Sequence, residues 1–263
     1  MASSNAAKSA SRREQLRAAR EREAAAARRK RITVVAVAVV VAAVLVAVIA
    51  MAAGGVFGKR SGGSGATSTV VSVRPPHASP GDKGVFSADN VNDSAPVLTV
   101  IDDFQCPICH TYETVFGPVF ESLAKKGEIR LEYRTRYFLD INLKNDSSVR
   151  AARAAAIADT FGKYQEYHDT VFSNQPAKEG TGYTDDQLRN SFPQAAGITG
   201  DDLAKFQSSY DKGEMNAFVD AVDKNASADG YNSTPTFLSN DKQIKFTNSA
   251  PTEDYVMQIV KAA

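Results

Sequence analysis

A chain of 263 residues with 43% hydrophobic content and only two cysteines is long enough for a sizeable core and has too few thiols for a disulfide framework. Its formal charge of +1 hides an asymmetry: residues 1–31 hold ten Lys/Arg and three Glu, a net of +7, and the remainder holds 21 basic and 27 acidic side chains, a net of −6. The acidic remainder lacks the basic face with which proteins displace phosphate counterions, which argues against nucleic acid as a partner.

In chain order, residues 1–31 read as a basic tail, solvated and close to anionic lipid. From Ile32 to Ala53 the chain runs 22 residues without a charge, behind Arg28, Arg29, Lys30 and Arg31. A helix of that length crosses the roughly 30 Å of bilayer hydrocarbon. The cationic flank stays in the cytoplasm by the positive-inside rule, so the C-terminal part is expected outside. The competing reading is a signal peptide cleaved near Ala50-Met51-Ala52, which would need an apolar region well beyond the usual 7–15 residues. Residues 54–84 read as a Gly/Ser/Pro-rich linker. Ser61-Gly62-Gly63-Ser64-Gly65 behaves as flexible coil, and Pro75, Pro76, Pro80, Gly81 and Gly84 interrupt any long element, although Val70, Val71 and Val73 could make a short strand.

Val97-Leu98-Thr99-Val100-Ile101 is an apolar, β-branched run suited to a buried strand, ending at Asp102-Asp103-Phe104. Cys106-Pro107-Ile108-Cys109 then opens a predicted helix that reaches about Lys126 and is bounded by Gly127. Residues 129–138 alternate and read as a second strand. Ser147 to Phe172 is alanine-rich helical sequence, with Tyr164, Tyr167 and Phe172 expected in packing, and further helices are predicted near 184–191, 201–209 and 213–228. Thr236-Phe237-Leu238, a turn at Asn240-Asp241, a strand at Gln243–Phe246 and a helix from about Thr252 to Lys261 complete the chain. No internal repeat is evident.

The two cysteines sit together at a helix start. There the first cysteine faces unpaired backbone N–H groups and the positive end of the helix dipole, which favour its thiolate. A thiolate attacks a disulfide sulfur through a mixed disulfide. Cys106 is therefore the predicted nucleophile, and Cys109, one turn on and more buried, the thiol that releases the trapped substrate. A structural zinc is disfavoured, because His110, His77 and His168 do not complete a metal-site spacing. Cys106-x-x-Cys109-His110 also satisfies the C-x-x-C-H rule for haem attachment. Against a c-type cytochrome stand the buried strand before the motif and the lack of an obvious axial ligand beyond Met215, Met257 or His168. His110 is otherwise expected in a surface or packing role, and His168 in a structural one.

Strand, helix, strand, hairpin and helix around a helical block describe an α/β fold, a thioredoxin-like core with a helical insert at about 140–230. Asp-Phe-Gln-Cys-Pro-Ile-Cys-His at 103–110, Glu-Tyr-His-Asp-Thr-Val-Phe at 166–172 and Ser-Thr-Pro-Thr-Phe at 233–237 resemble the DsbA-like thioredoxin family over residues 85–263. The resemblance implies a bacterial, membrane-anchored, extracytoplasmic thiol:disulfide oxidoreductase with Cys106 and Cys109 as catalytic residues and Pro107 and Ile108 between them. It implies no cofactor and no metal. Its partners would be client proteins with cysteines and a redox protein that resets the dithiol. X-Pro bonds are cis in only about 5–6% of cases, but the resemblance implies that Thr234-Pro235 is cis, packs against the dithiol and presents Thr234 to an extended substrate.

Insertion of disulfides into secreted or surface proteins is the implied role, with a reductase or isomerase for a narrow client as the alternative; a non-catalytic binding module is disfavoured by the presence of both thiols. Two positions depart from the family pattern. The buried acid six residues before the first cysteine is replaced by Val100, leaving Asp102 or Asp103 as substitutes that would otherwise be solvated or capping residues. The histidine that strongly oxidising relatives carry before the second cysteine is replaced by Ile108, which implies a less oxidising disulfide.

Overall fold

The computed structural model describes residues 73–247 and 251–263. The basic tail, the apolar stretch 32–53 and most of the linker, with Val70 and Val71, lie outside the described residues. Among the described residues no helix is long and apolar enough to cross a membrane.

Five strands form one sheet in the order β1-β3-β2-β4-β5: β1 Val85–Phe86, β2 Val97–Asp103, β3 Arg130–Arg136, β4 Thr236–Ser239 and β5 Lys242–Ile244. Only β2 and β3 are parallel, and a parallel pair needs a long crossover. Helix α1, Pro107–Lys125, supplies it. The register sets Val100 opposite Tyr133 and Asp102 opposite Thr135, with Phe237 across from Val100 on β4. Because side chains alternate along a strand, Val100, Asp102, Tyr133 and Phe237 share one face. α1 packs on that face: Tyr112 and Phe120 meet Phe237 at ring distances of 5.1 and 6.2 Å.

α1 starts at Pro107, whose missing N–H costs nothing in a first turn, with Cys106 as its cap. It ends before Gly127, whose φ of +70° lets the chain turn back. Phe116, Phe120 and Leu123 are buried along its inner side, each contributing about 1.5–3 kcal/mol by removal from water. Phe246 lies beyond β5, which ends at Ile244 where the sequence predicts a strand to Phe246. Its ring instead joins Phe116, Phe120 and Phe237 at 5.1, 5.4 and 5.1 Å. Asn240 and Asp241 both take positive φ, as a two-residue hairpin turn matched to strand twist requires. α8, Glu253–Lys261, closes the chain under a Thr252 cap.

The insert holds α2 Leu139–Leu143, α3 Ser147–Ala158, α4 Tyr164–Ser173, α5 Phe192–Ala195, α6 Gly200–Lys212 and α7 Asn216–Ala228. The continuous helical reading from Ser147 to Phe172 is thus broken in two. Asp159–Phe161 tightens into a 3₁₀ turn and Gly162 reverses at φ +66° before Tyr164 restarts the helix. The helix expected at 184–191 is a π turn over Gln187–Ser191 running into α5. Pro193 has no N–H to return to Arg189, and the Phe192 N–H bonds instead to Gln187 O, five residues back.

The boundary at residue 84 also moves. Residues 77–84 are bonded to the domain: Phe86 N–H donates to His77 O, Ser79 N–H to Gly84 O, and Asn225 Nδ2 to Gly81 O. His77 offers its backbone N–H to Asp159 Oδ2 at 2.8 Å and sets Nδ1 2.8 Å from Oδ1. Flexible composition does not prevent ordering where a buried carboxylate needs donors. His77→Ala is accordingly expected to lower unfolding stability by about 1–2 kcal/mol and to open residues 73–84 to proteolysis. Unchanged denaturation and cleavage would show that the clasp contributes nothing.

Candidate active site

Cys106 caps α1 with its own sulfur. Its Sγ accepts the Cys109 N–H at 3.3 Å and lies 3.7 Å from Thr234 O. The Thr234-Pro235 peptide is cis, so the two distant motifs meet at this sulfur. Both thiols are free and buried, yet their environments pull them apart. A hydrogen bond from the Cys109 thiol outweighs burial and, with the N–H groups of Cys109 and Ile108 and the Thr234 side chain, holds the Cys106 thiol down at about 6. Burial, together with the Cys106 sulfur, pushes the Cys109 thiol well above its ordinary value. The result is one nucleophilic sulfur and one proton-bearing sulfur in contact.

The loop entering the helix is held from the insert. Gln175 Nε2 donates to Phe104 O at 2.8 Å and to Cys106 O at 3.1 Å, and Tyr183 Oη donates to Phe104 O at 2.7 Å. Gln105 Nε2 reaches Asp140, Asn145 and Ser148 at 2.7–2.9 Å. Asp103 accepts from the Gln105 N–H, the Ser148 hydroxyl and the Leu139 N–H, and burial pushes its carboxyl up to about 7. It is a cap, as one reading had it, but buried rather than solvated. Gln175 and Tyr183 escape a sequence reading because they stand 69 and 77 residues beyond Cys106. Gln105 was signalled only by its place next to the dithiol.

Asp102 is likewise buried. Its Oδ2 lies 2.7 Å from His168 Nε2, and His168 Nδ1 faces Asp169 Oδ1 at 3.6 Å and Glu113 Oε1 at 3.8 Å. Burial opposes a charge on the ring, but Glu113, Asp102 and Asp169 outweigh it and raise His168 to about 10. Glu113, His168 and Asp169 bring ligand atoms within 4.8 Å of one another, the grouping among the described residues with the donors to hold a cation, and it includes neither cysteine. Val100 is buried in the sheet face below α1. The haem alternative meets a geometric obstacle: Cys109, Met215, Met257 and His168 are all packed in the core, out of reach of a haem held outside it. His110, half-buried, has an Nδ1 without a hydrogen-bond partner among the described residues.

Ile108 is 59% exposed. With Tyr112, Ser233, Pro235, Phe237 and Ile244 it borders a cleft of about 420 Å³. Thr236, Gln243, Lys245 and Thr247 complete the lining, and a cleft that mixes apolar and polar side chains along the β4–β5 hairpin suits an extended polypeptide.

A family model described as thioredoxin matches residues 92–261. No curated protein matches the chain. Among solved structures, the reduced form of DsbA from Mycobacterium tuberculosis is 25% identical with a TM-score of 0.56, over 68% of this chain and 92% of that one. The reduced disulfide bond oxidoreductase DsbG from the same organism is 25% identical with a TM-score of 0.55, over 71% and 97%. MdbA of Actinomyces oris, a thiol-disulfide oxidoreductase, matches in fold at 16% identity and a TM-score of 0.57, over 70% and 89%. The chain therefore belongs to the thioredoxin family, and its structural neighbours within it are DsbA-type thiol-disulfide oxidoreductases.

Proposed function

We propose that the protein is a membrane-anchored, extracytoplasmic thiol:disulfide oxidoreductase that introduces disulfides into secreted or surface proteins. The observation that carries the exchange chemistry is the Cys106 sulfur, seated at the α1 cap against the Cys109 N–H and held down at about 6 beside a buried, protonated Cys109. In the oxidising direction a client thiolate attacks Sγ of Cys106 in the disulfide form, Cys109 leaves, and a second client thiol displaces Cys106. Two electrons pass to the protein, the client disulfide forms, and Cys106 leaves readily because its thiolate is stabilised. The cleft beside Ile108 and Pro235 receives the client segment. Cys106 and Cys109 are the catalytic residues, and Thr234 and Pro235 the substrate-binding pair.

The outward location is supported by the uncharged residues 32–53 behind four cationic residues. Expected results are recovery of the full chain in the membrane fraction and cleavage of its C-terminal domain by protease added outside intact cells. A soluble mature chain beginning near Ala53 would replace the anchor by a cleaved signal. The direction is tested by the reduction potential of Cys106–Cys109. A value well below that of the client dithiols would favour the reductase reading, toward which Ile108 leans, since its side chain offers the thiolate no donor.

A further inference from the structure

The resolving step poses a problem that the dithiol alone does not solve. Cys109 is buried and holds its proton, and the strand position that carries an acid in the family pattern is Val100, which can neither take nor give one. The same strand face presents a carboxyl two residues further on. Val100 and Asp102 alternate to the side on which α1 packs, so Asp102 lies nearer the C-terminal end of β2, the end from which the chain enters the dithiol helix.

Asp102 is 1% exposed, and its Oδ1 has no hydrogen-bond partner among the described residues, while Oδ2 is engaged by His168 Nε2 at 2.7 Å. A buried carboxylate normally uses all its lone pairs. A vacant oxygen on the dithiol side of the sheet is what a proton acceptor requires. On the far side of the ring, His168 Nδ1 faces Asp169 and Glu113. Gly117 makes room for Glu113, since a Cβ there would stand 2.5 Å from Glu113 Oε1. Glu113 and Asp169 in turn border a surface cleft of about 260 Å³. Titratable groups thus run from the interior to solvent.

We propose that Asp102, held by His168, is the proton acceptor and donor for Cys109, a displaced counterpart of the acid missing at Val100. The proposal rests on the exchange reading of the dithiol and deepens it. When Cys109 attacks a mixed disulfide at Cys106, its thiol proton passes to Asp102 Oδ1, the Cys106–Cys109 bond forms, and the client sulfur leaves as a thiolate. His168, whose ring nitrogens both carry protons, keeps its Nε2–H on Asp102 Oδ2 throughout, and Asp102 gives up the Oδ1 proton to the departing client thiolate or to solvent. In the oxidising direction the path reverses and the departing Cys109 sulfur regains a proton. The groups facing this path are Cys106 at the α1 cap, Glu113 from α1, His168, Tyr164 and Asp169 from α4, and Tyr133 from β3; the charge of Asp102 is felt at Cys109, Glu113 and Tyr164.

The test uses the reduced protein and a chromogenic aromatic disulfide. One thiol is released when Cys106 attacks, and a second when Cys109 resolves the mixed disulfide. In Asp102→Asn the first phase is expected to keep its rate, while the second slows about 100-fold at pH 7 and comes to depend on pH as an unassisted buried thiol does. Restoring an acid in Val100→Glu/Asp102→Asn should recover the second phase. An intact first phase with an unchanged second phase overturns the relay and leaves the exchange reading standing; loss of the first phase overturns the exchange reading itself. Should Asp102→Asn fail to fold, the Asp102 carboxyl of the wild-type protein, followed by carbon NMR, decides. Its titration must differ between the dithiol and disulfide forms, and an identical titration overturns the proposal.

Discussion

Cys106→Ser is expected to abolish disulfide exchange, leaving only the uncatalysed rate, whereas Cys109→Ser retains the first attack and accumulates mixed disulfides with clients. The asymmetry follows from where the sulfurs sit. Cys106 alone caps α1, with the Thr234 carbonyl beside it, and the cleft bordered by Ile108 and Pro235, the neighbours of these two residues in the chain, opens next to that motif. Cys109, at 3% exposure, meets no client directly. A hydroxyl at 106 can fill the cap but is not a thiolate, and the cap geometry alone transfers no electrons. The choice of serine at 109 also matters. The Cys109 thiol is the largest influence holding Cys106 down; serine keeps a donor there, while alanine removes it and should raise the Cys106 thiol. Trapping of clients by Cys106→Ser instead would reverse the two roles.

The second large effect is on pH. With the Cys106 thiol at about 6, its alkylation rate should rise about tenfold from pH 5 to pH 7 and then level off. An ordinary thiol, near 8.5, would rise about a hundredfold over that range and continue upward. Cys109 should remain unmodified throughout, because burial raises it. The linkage has a definite sign. A thiol depressed in the folded state stabilises the reduced protein most fully above the unfolded value of about 8.5, and that stabilisation is lost as pH falls to about 6. The disulfide form has no such proton to bind at Cys106. Denaturation of reduced and oxidised protein side by side should therefore show the reduced form losing stability relative to the oxidised one between about pH 8.5 and 6. A difference that is flat with pH, or an alkylation rate still climbing at pH 8, would refute the depressed thiolate.

Much of this site was legible because its signals are local. The β-branched run at 97–101, the dithiol at a helix start and the Asn240-Asp241 turn each declare themselves within a few residues. The legible part stops where the chemistry is long-range. His168 read as a structural histidine, and nothing near it in sequence points 66 residues back to Asp102. Gln175 and Tyr183 belong to the same class: polar residues in an insert, indistinguishable by composition from solvated ones until the fold brings them to the carbonyls of Phe104 and Cys106. The break at Gly162 was obscured by alanine-rich sequence on its N-terminal side, and the ordering of residues 77–84 by a composition typical of linkers.

The bonds from Gln175 and Tyr183 bear on how such a site can be transplanted. Exchanging the dipeptide Pro107-Ile108 among relatives leaves untouched the donors that pin the carbonyls on either side of Gln105, because those donors reside in another part of the chain. A C-x-x-C grafted onto a thioredoxin core without this insert would keep its cysteines and lose their mooring, so its redox behaviour need not travel with the motif. The helical insert and the dithiol are thus mechanically one unit.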